Sequence, residues 1–175
     1  MPDSPAAATS DAALDAAAHR RLGVDLFNAT WSLLEMADRS AEQTDALIHT
    51  AHASRHHWAL AEGSGPENLA RGEWLCSRVY AMLGRAEPAL WHARRCIEIC
   101  ESNGIGDWDI AAGYEALARA QLVASDRAAA REWAARARAA AGAIAETDDR
   151  EVRAEPRRPR PRLREGAQPT LSQHR

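Results

Sequence analysis

The chain contains no lysine; each of its 22 basic residues is an arginine. So uniform a choice reads as the codon bias of a GC-rich gene rather than a demand for guanidinium chemistry at every position. Runs of alternating β-branched residues are also missing, which argues against sheet. No window approaches the roughly 18 consecutive apolar residues that a membrane span needs. The first residues, Met-Pro-Asp-Ser-Pro-Ala-Ala-Ala, lack the basic and apolar segments of a secretory signal. Cysteine is scarce and odd in number, three in all, at spacings that suit neither a disulfide scaffold nor a zinc knuckle. Reduced thiols and a cytoplasmic location are therefore expected. Phenylalanine occurs once and tyrosine twice, so the six tryptophans supply most of the aromatic volume. They also leave apolar surface for self-association, and a homo-oligomer is one expectation.

What the chain does have is alanine and helical periodicity. Of its 175 residues 46% are apolar, enough for one domain with a real core. Much of that fraction is alanine, the best helix former and a poor filler of volume, so thin, closely packed helices are expected. Between Asp11 and Arg150 the only prolines are Pro66 and Pro88, both where a helix would begin. The pattern predicts helices over about 18–37, 41–61, 66–83 and 87–102, a fifth that follows Asp107 and aligns Ile110, Tyr114, Leu117 and Ala118, and a sixth that Ser125–Asp126 turns into and that reaches about Glu146. Ser40 or Thr44 is the expected cap of the second and Asp107 of the fifth. Residues 1–17 read as a flexible leader and 18–149 as an all-α domain. Residues 150–175 read as a disordered Arg/Pro-rich tail, with eight arginines against three glutamates, leaving residues 1–149 near −8. Such a tract is a solvated tail, an arm that grips phosphate or an acidic surface, or the product of a frame-shifted gene end. The acidic balance of the helical part argues against a nucleic-acid partner.

The helices repeat. Gly84–Cys96 slides onto Ser125–Ala137, bringing Gly84 over Ser125, Ala89 over Ala130, Ala93 over Ala134 and Cys96 over Ala137. Small residues at fixed steps of a turn followed by a helix let helices approach closely. Ser77, Tyr80, Gly84, Ala89 and Cys96 in one copy, with Ala118, Ser125, Ala130 and Ala137 in the next, resemble tetratricopeptide repeats. The period is 41 residues, against about 34 in that family. Glu73 stands where the family has a tryptophan, with Trp74 one place off, and Gln121 stands where it has an aromatic. Tyr114 suits the pattern, and neither copy has the closing proline. The resemblance implies three antiparallel helical hairpins stacked as a short solenoid. It further implies a protein–protein interaction module that takes a peptide or helix in a groove lined by the first helix of each pair. Carried over by position, that groove presents Arg71, Trp74, Arg78, Glu115 and Arg119.

The same residues support this reading without the family. Arg71, Trp74 and Arg78 lie at i, i+3 and i+7, one face of a helix. A tryptophan between two guanidiniums can anchor a side chain on its ring while a carboxylate is held bidentately. On that reading Trp74→Ala removes binding and leaves the melting temperature unchanged. The alternative is that Trp74 packs against the first or second helix and the arginines are solvated.

His49, His52 and His56 form a second i, i+3, i+7 stripe. Two of the three imidazoles can share an ion, and His92, Glu73 or His19 would complete a site; this metal-binding protein, a hydrolase in one form, is the second functional reading. His92, Cys96 and Cys100 make another stripe, with Cys96 at a small-residue contact position that favours packing. No nucleophile–base pair or phosphate-binding loop is present, since Gly104-Ile105-Gly106 lacks the third glycine and its context. The principal reading is thus a binding module rather than an enzyme, with no cofactor.

Overall fold

The computed structural model describes the backbone of residues 14–154 and the side chains of residues 14–144. Six helices follow one another: α1 (Ala16–Leu34), α2 (Ala41–Leu60), α3 (Pro66–Met82), α4 (Ala86–Ser102), α5 (Asp107–Val123) and α6 (Arg127–Ala154). Each helix packs on the next in sequence, as hairpins do, and α3 also meets α5. Among the described residues no helix is long and apolar enough to cross a membrane.

Local chemistry sets the boundaries. Asp15 caps α1, its carboxylate accepting from Ala18 N at 2.6 Å. The helix stops at Leu34 rather than near Ala37, because Arg39 folds back on its carboxyl end. One guanidinium nitrogen donates to the carbonyls of Leu33, Leu34 and Met36 at 3.0, 3.2 and 2.9 Å, satisfying acceptors that a helix end leaves open. Ser40 opens α2 with a capping box: its hydroxyl accepts from Gln43 N, and the Gln43 side chain accepts from Ser40 N at 2.8 Å. The cap of α5 is Gly106, with Asp107 already at the first helical position at φ 52°. Helix α6 runs past Glu146 to Ala154; the first proline after Pro88 is Pro156, so nothing stops it sooner. The opening of the expected tail is therefore helical. Residues 1–13 of the expected leader and 155–175 of the tail lie outside the described residues.

Helices α3, α4 and α5 end in the same way. Arg85 N bonds to Tyr80 O, Ile105 N to Cys100 O and Asp126 N to Gln121 O, each at 2.9 Å. Each bond spans a residue in the left-handed region: Gly84 at φ 69°, Gly104 at φ 64° and Ser125 at φ 65°. These are Schellman closures, and glycine fits them without a Cβ penalty.

The core is thin, as alanine-rich helices require. Leu34, Leu47, Ala51, Leu75, Cys76 and Val79 bury the contacts among α1, α2 and α3. Ala93, Ile97, Ala116 and Leu117 do so between α4 and α5, where Gly113 permits the approach: a Cβ there would lie 3.0 Å from Ile97 Cγ1. The first helix uses Gly23, Thr30 and Leu34 as its deepest positions, one step round from the expected Leu22–Leu26–Leu33 stripe. Small residues bring the backbones together there, and Ser54 Oγ on α2 donates to Gly23 O at 2.8 Å. Ser77 Oγ likewise donates to Ala89 O at 2.9 Å, tying α3 to α4. Each such buried bond contributes about 1 kcal/mol.

Ser125 carries a left-handed conformation that its two counterparts give to glycine. Ser125→Gly should therefore raise stability by about 1 kcal/mol, a shift of roughly 2–4 °C in a thermal melt. An unchanged or lowered melting temperature would show that the serine conformation costs nothing.

Candidate functional site

Helix α3 is covered by α2, α4 and α5 and carries a distinct polar set on each of two flanks. Towards α2 and α4 it presents Glu73, Cys76 and Tyr80, again at i, i+3 and i+7. Glu73 is buried. Its Oε1 accepts from Arg55 Nε of α2 at 3.0 Å, and its Oε2 accepts from His92 Nδ1 of α4 at 2.7 Å. Gly72 makes this reach feasible, since a Cβ there would sit 2.4 Å from Arg55 Cδ. A mid-helix glycine costs about 1 kcal/mol in helix propensity, and here it clears the path of the arginine. His52 Nε2 shares a 2.9 Å hydrogen bond with Tyr80 Oη. The Tyr80 ring stacks on His92 with centroids 5.6 Å apart, and the His52 ring meets His92 edge-on at 5.2 Å.

The electrostatics follow from burial and pairing. Burial alone would raise the Glu73 pKa, but the His92 hydrogen bond and the Arg55 charge outweigh it and hold the carboxyl below its usual value. Burial, with the Glu73 charge adding to it, pushes the Cys76 thiol up to about 12. His52 is lowered, first by burial and then by the charge of His92, with Glu73 acting in the opposite sense.

Of the histidine stripe, only His52 enters this cluster. At 100° per residue it stands about 60° round the helix from His49 and about 40° from His56. Those two are exposed; the His56 ring meets His57 at 5.6 Å, and His57 Nδ1 lies 2.8 Å from His19 Nδ1. The His92–Cys96–Cys100 stripe also divides. His92 joins Glu73, whereas Cys96 and Cys100 pack with Ala70 in the core.

The other flank of α3 faces α1 and α5 and holds the residues expected to line a groove. Arg71 forms a bidentate pair with Asp109, Nε to Oδ1 at 2.7 Å and Nη2 to Oδ2 at 2.9 Å. Trp74 is half-buried and packs against three of the apolar clusters, with its ring 5.9 Å from that of Trp31 on α1. The Arg78 guanidinium lies over Trp31 at 5.0 Å and Trp74 at 5.9 Å. Arg119 Nη2 donates to Glu115 Oε2 on α5. Burial, then the nearby Arg119 charge, lowers the Arg78 pKa. Three donors here are buried without an acceptor among the described residues: Trp74 Nε1, Arg78 Nε and Arg119 Nη1. Two cavities of about 280 and 250 Å³ adjoin this flank and share Phe27 and Arg71. The first reaches Val24 and Trp58, the second Trp74, Trp108 and Asp109.

Of the residues expected to line a groove, Arg71, Trp74 and Arg78 lie on one flank of α3, with Glu115 and Arg119 paired on α5; His92 and Glu73, expected as partners for a histidine, meet each other. Sequence reasoning missed Cys76, Tyr80 and Arg55 as members of a polar cluster. The signal in the sequence is Glu73, a carboxylate at helical spacing from Cys76 and Tyr80.

No protein-family model, curated protein or solved structure matches this chain.

Trp74 is part of the core as well as of the flank, so Trp74→Ala should cost about 3–5 kcal/mol of stability, read by urea unfolding. A loss under 1 kcal/mol would mean that the ring is a surface group. A second expectation concerns acid. Because the folded state lowers the His52 pKa, the unfolded chain binds more protons near and below pH 6.5, the ordinary histidine value. The melting temperature of metal-free protein should thus fall as pH drops through that range. Glu73, also lowered, adds a further loss only below its ordinary value of 4.5. His57 is lowered too, so His52→Gln should flatten the profile between pH 7 and 5 without abolishing its slope. An unaltered slope in that variant would overturn the assignment.

Proposed function

We propose that this chain is a protein-interaction module of tetratricopeptide-like build, its hairpins stacked as a short solenoid. An acidic peptide lies along the flank formed by α1, α3 and α5. The observation that carries the reading is the set of buried donors without acceptors, Trp74 Nε1, Arg78 Nε and Arg119 Nη1. A buried donor without a partner costs about 1–3 kcal/mol, and a carboxylate is the ligand that recovers most from two guanidiniums. Glu115 holds one edge of Arg119 and leaves the other to the ligand. Arg71 is already neutralised by Asp109 and acts at the rim.

Apolar anchoring adds to charge. Trp108 is 66% exposed and borders the cavity that Phe27 and Trp74 also line, a setting suited to a peptide's aromatic or aliphatic side chain. The role is binding, with no reaction assigned.

The test is fluorescence polarisation with defined peptides that pair one aromatic residue with Asp or Glu, each matched to its Asn/Gln counterpart. Acidic peptides should bind saturably and more weakly at high salt, their amide counterparts poorly. Arg78→Gln should weaken binding by about 10–100-fold, and Trp108→Ala should weaken it with the melting temperature unchanged. Equal binding of acidic and amide peptides, or indifference to Arg78→Gln, would overturn the reading.

A further inference from the structure

We infer that His52, Cys76 and His92 form a binding site for a borderline-soft divalent cation, zinc in the first instance, on the flank of α3 opposite the groove. Three observations support it. Each side chain offers one ligand atom, and the three atoms lie within 4.8 Å of one another. Ligands on a tetrahedral zinc stand about 3.3–3.6 Å apart, given bonds of about 2.0–2.3 Å, so modest side-chain rotation closes the set. Two imidazoles and a thiolate are a donor set that zinc favours over magnesium or calcium.

The surroundings are those of a supported site. Glu73 Oε2 holds His92 Nδ1 at 2.7 Å, and Arg55 fixes the other Glu73 oxygen at 3.0 Å. A carboxylate behind a ligating histidine sets its orientation and tautomer and raises its basicity. The plainer reading, a hydrogen-bonded polar core, accounts for Glu73, Arg55 and Tyr80. Cys76 also fills core volume with Leu75 and Val79, but packing alone does not explain why this buried thiol, without a hydrogen bond among the described residues, converges on two imidazoles. This set differs from the His49–His52–His56 stripe: the ligands come from three helices, and α3 supplies the sulfur.

Binding has a definite proton balance. The thiol Cys76–SH gives up its proton as the sulfur–metal bond forms, one proton being released per ion, and affinity therefore rises with pH. Three protein ligands leave a position for water or another ligand, and His52, half-buried, is the most accessible of the three.

The experiment is a titration of chelator-treated, tag-free, full-length protein with Co(II), followed by competition with Zn(II). Wild type should take up about one equivalent and show the near-ultraviolet thiolate-to-cobalt charge-transfer band. That band should vanish in Cys76→Ser and persist in Cys96→Ser and Cys100→Ser. Glu73→Gln should weaken zinc binding by about 10–100-fold. His52→Asn removes a ligand from the rim with little effect on packing, so it tests the site even if Cys76→Ser fails to fold; circular dichroism monitors each variant. No uptake by wild type, a band that survives Cys76→Ser, or uptake lost in His49→Ala but kept in His52→Asn would each overturn the proposal. Peptide binding uses other residues, so its failure and this one are read separately.

Discussion

A carboxylate at the middle of a covered helix constrains everything around it. Glu73 sits on α3 where a close-packed core needs apolar volume, and the helices on either side must supply it with partners. Arg55 comes from α2 and His92 from α4, so one side chain ties three consecutive helices. A buried pair of this kind adds little net stability over an apolar core, yet leaving one member alone is costly. Its effect is therefore on register: a rotation of α2 or α4 that broke either bond would strand a charge. Gly72 belongs to the same constraint, as the Arg55 stem lies where any larger residue would stand.

Around that pairing, α3 serves two flanks at once. Ser77 and the small residues of α4 and α5 keep the backbones close, which is why a helix of 17 residues can pack closely on α2, α4 and α5. The flank towards α2 and α4 gathers imidazole, thiol and phenol. The flank towards α1 and α5 gathers indole and guanidinium. Trp74 links the second flank to the core, packing against residues of α1, α4 and α5. A ligand on that flank would thus press directly on the central helix, whereas an ion on the other would stiffen the α2–α3–α4 arrangement.

The three Schellman closures and the small residues at helix contacts let consecutive helices pack closely as hairpins. At Glu73, where the repeated pattern read in the sequence expects a tryptophan, this chain places a charge and then satisfies it.

Helix number, the caps at Ser40 and Gly84, and the hairpin order were legible in the sequence, because capping, proline placement and alanine content act over a few residues. Helix ends were less so: Arg39 shortens α1 by bonding to carbonyls up to six residues back, and α6 continues until proline is near. Arg71, Trp74 and Arg78 were legible as one helical face, though not the division of labour by which Asp109 occupies Arg71 and Trp74 joins the core. The meeting of Cys76 with His52 and His92 was decided by tertiary structure alone. Helical spacing groups residues within one element, and it was the packing of α2, α3 and α4 around Glu73 that turned one histidine of three inward to meet a thiol 24 residues further along the chain.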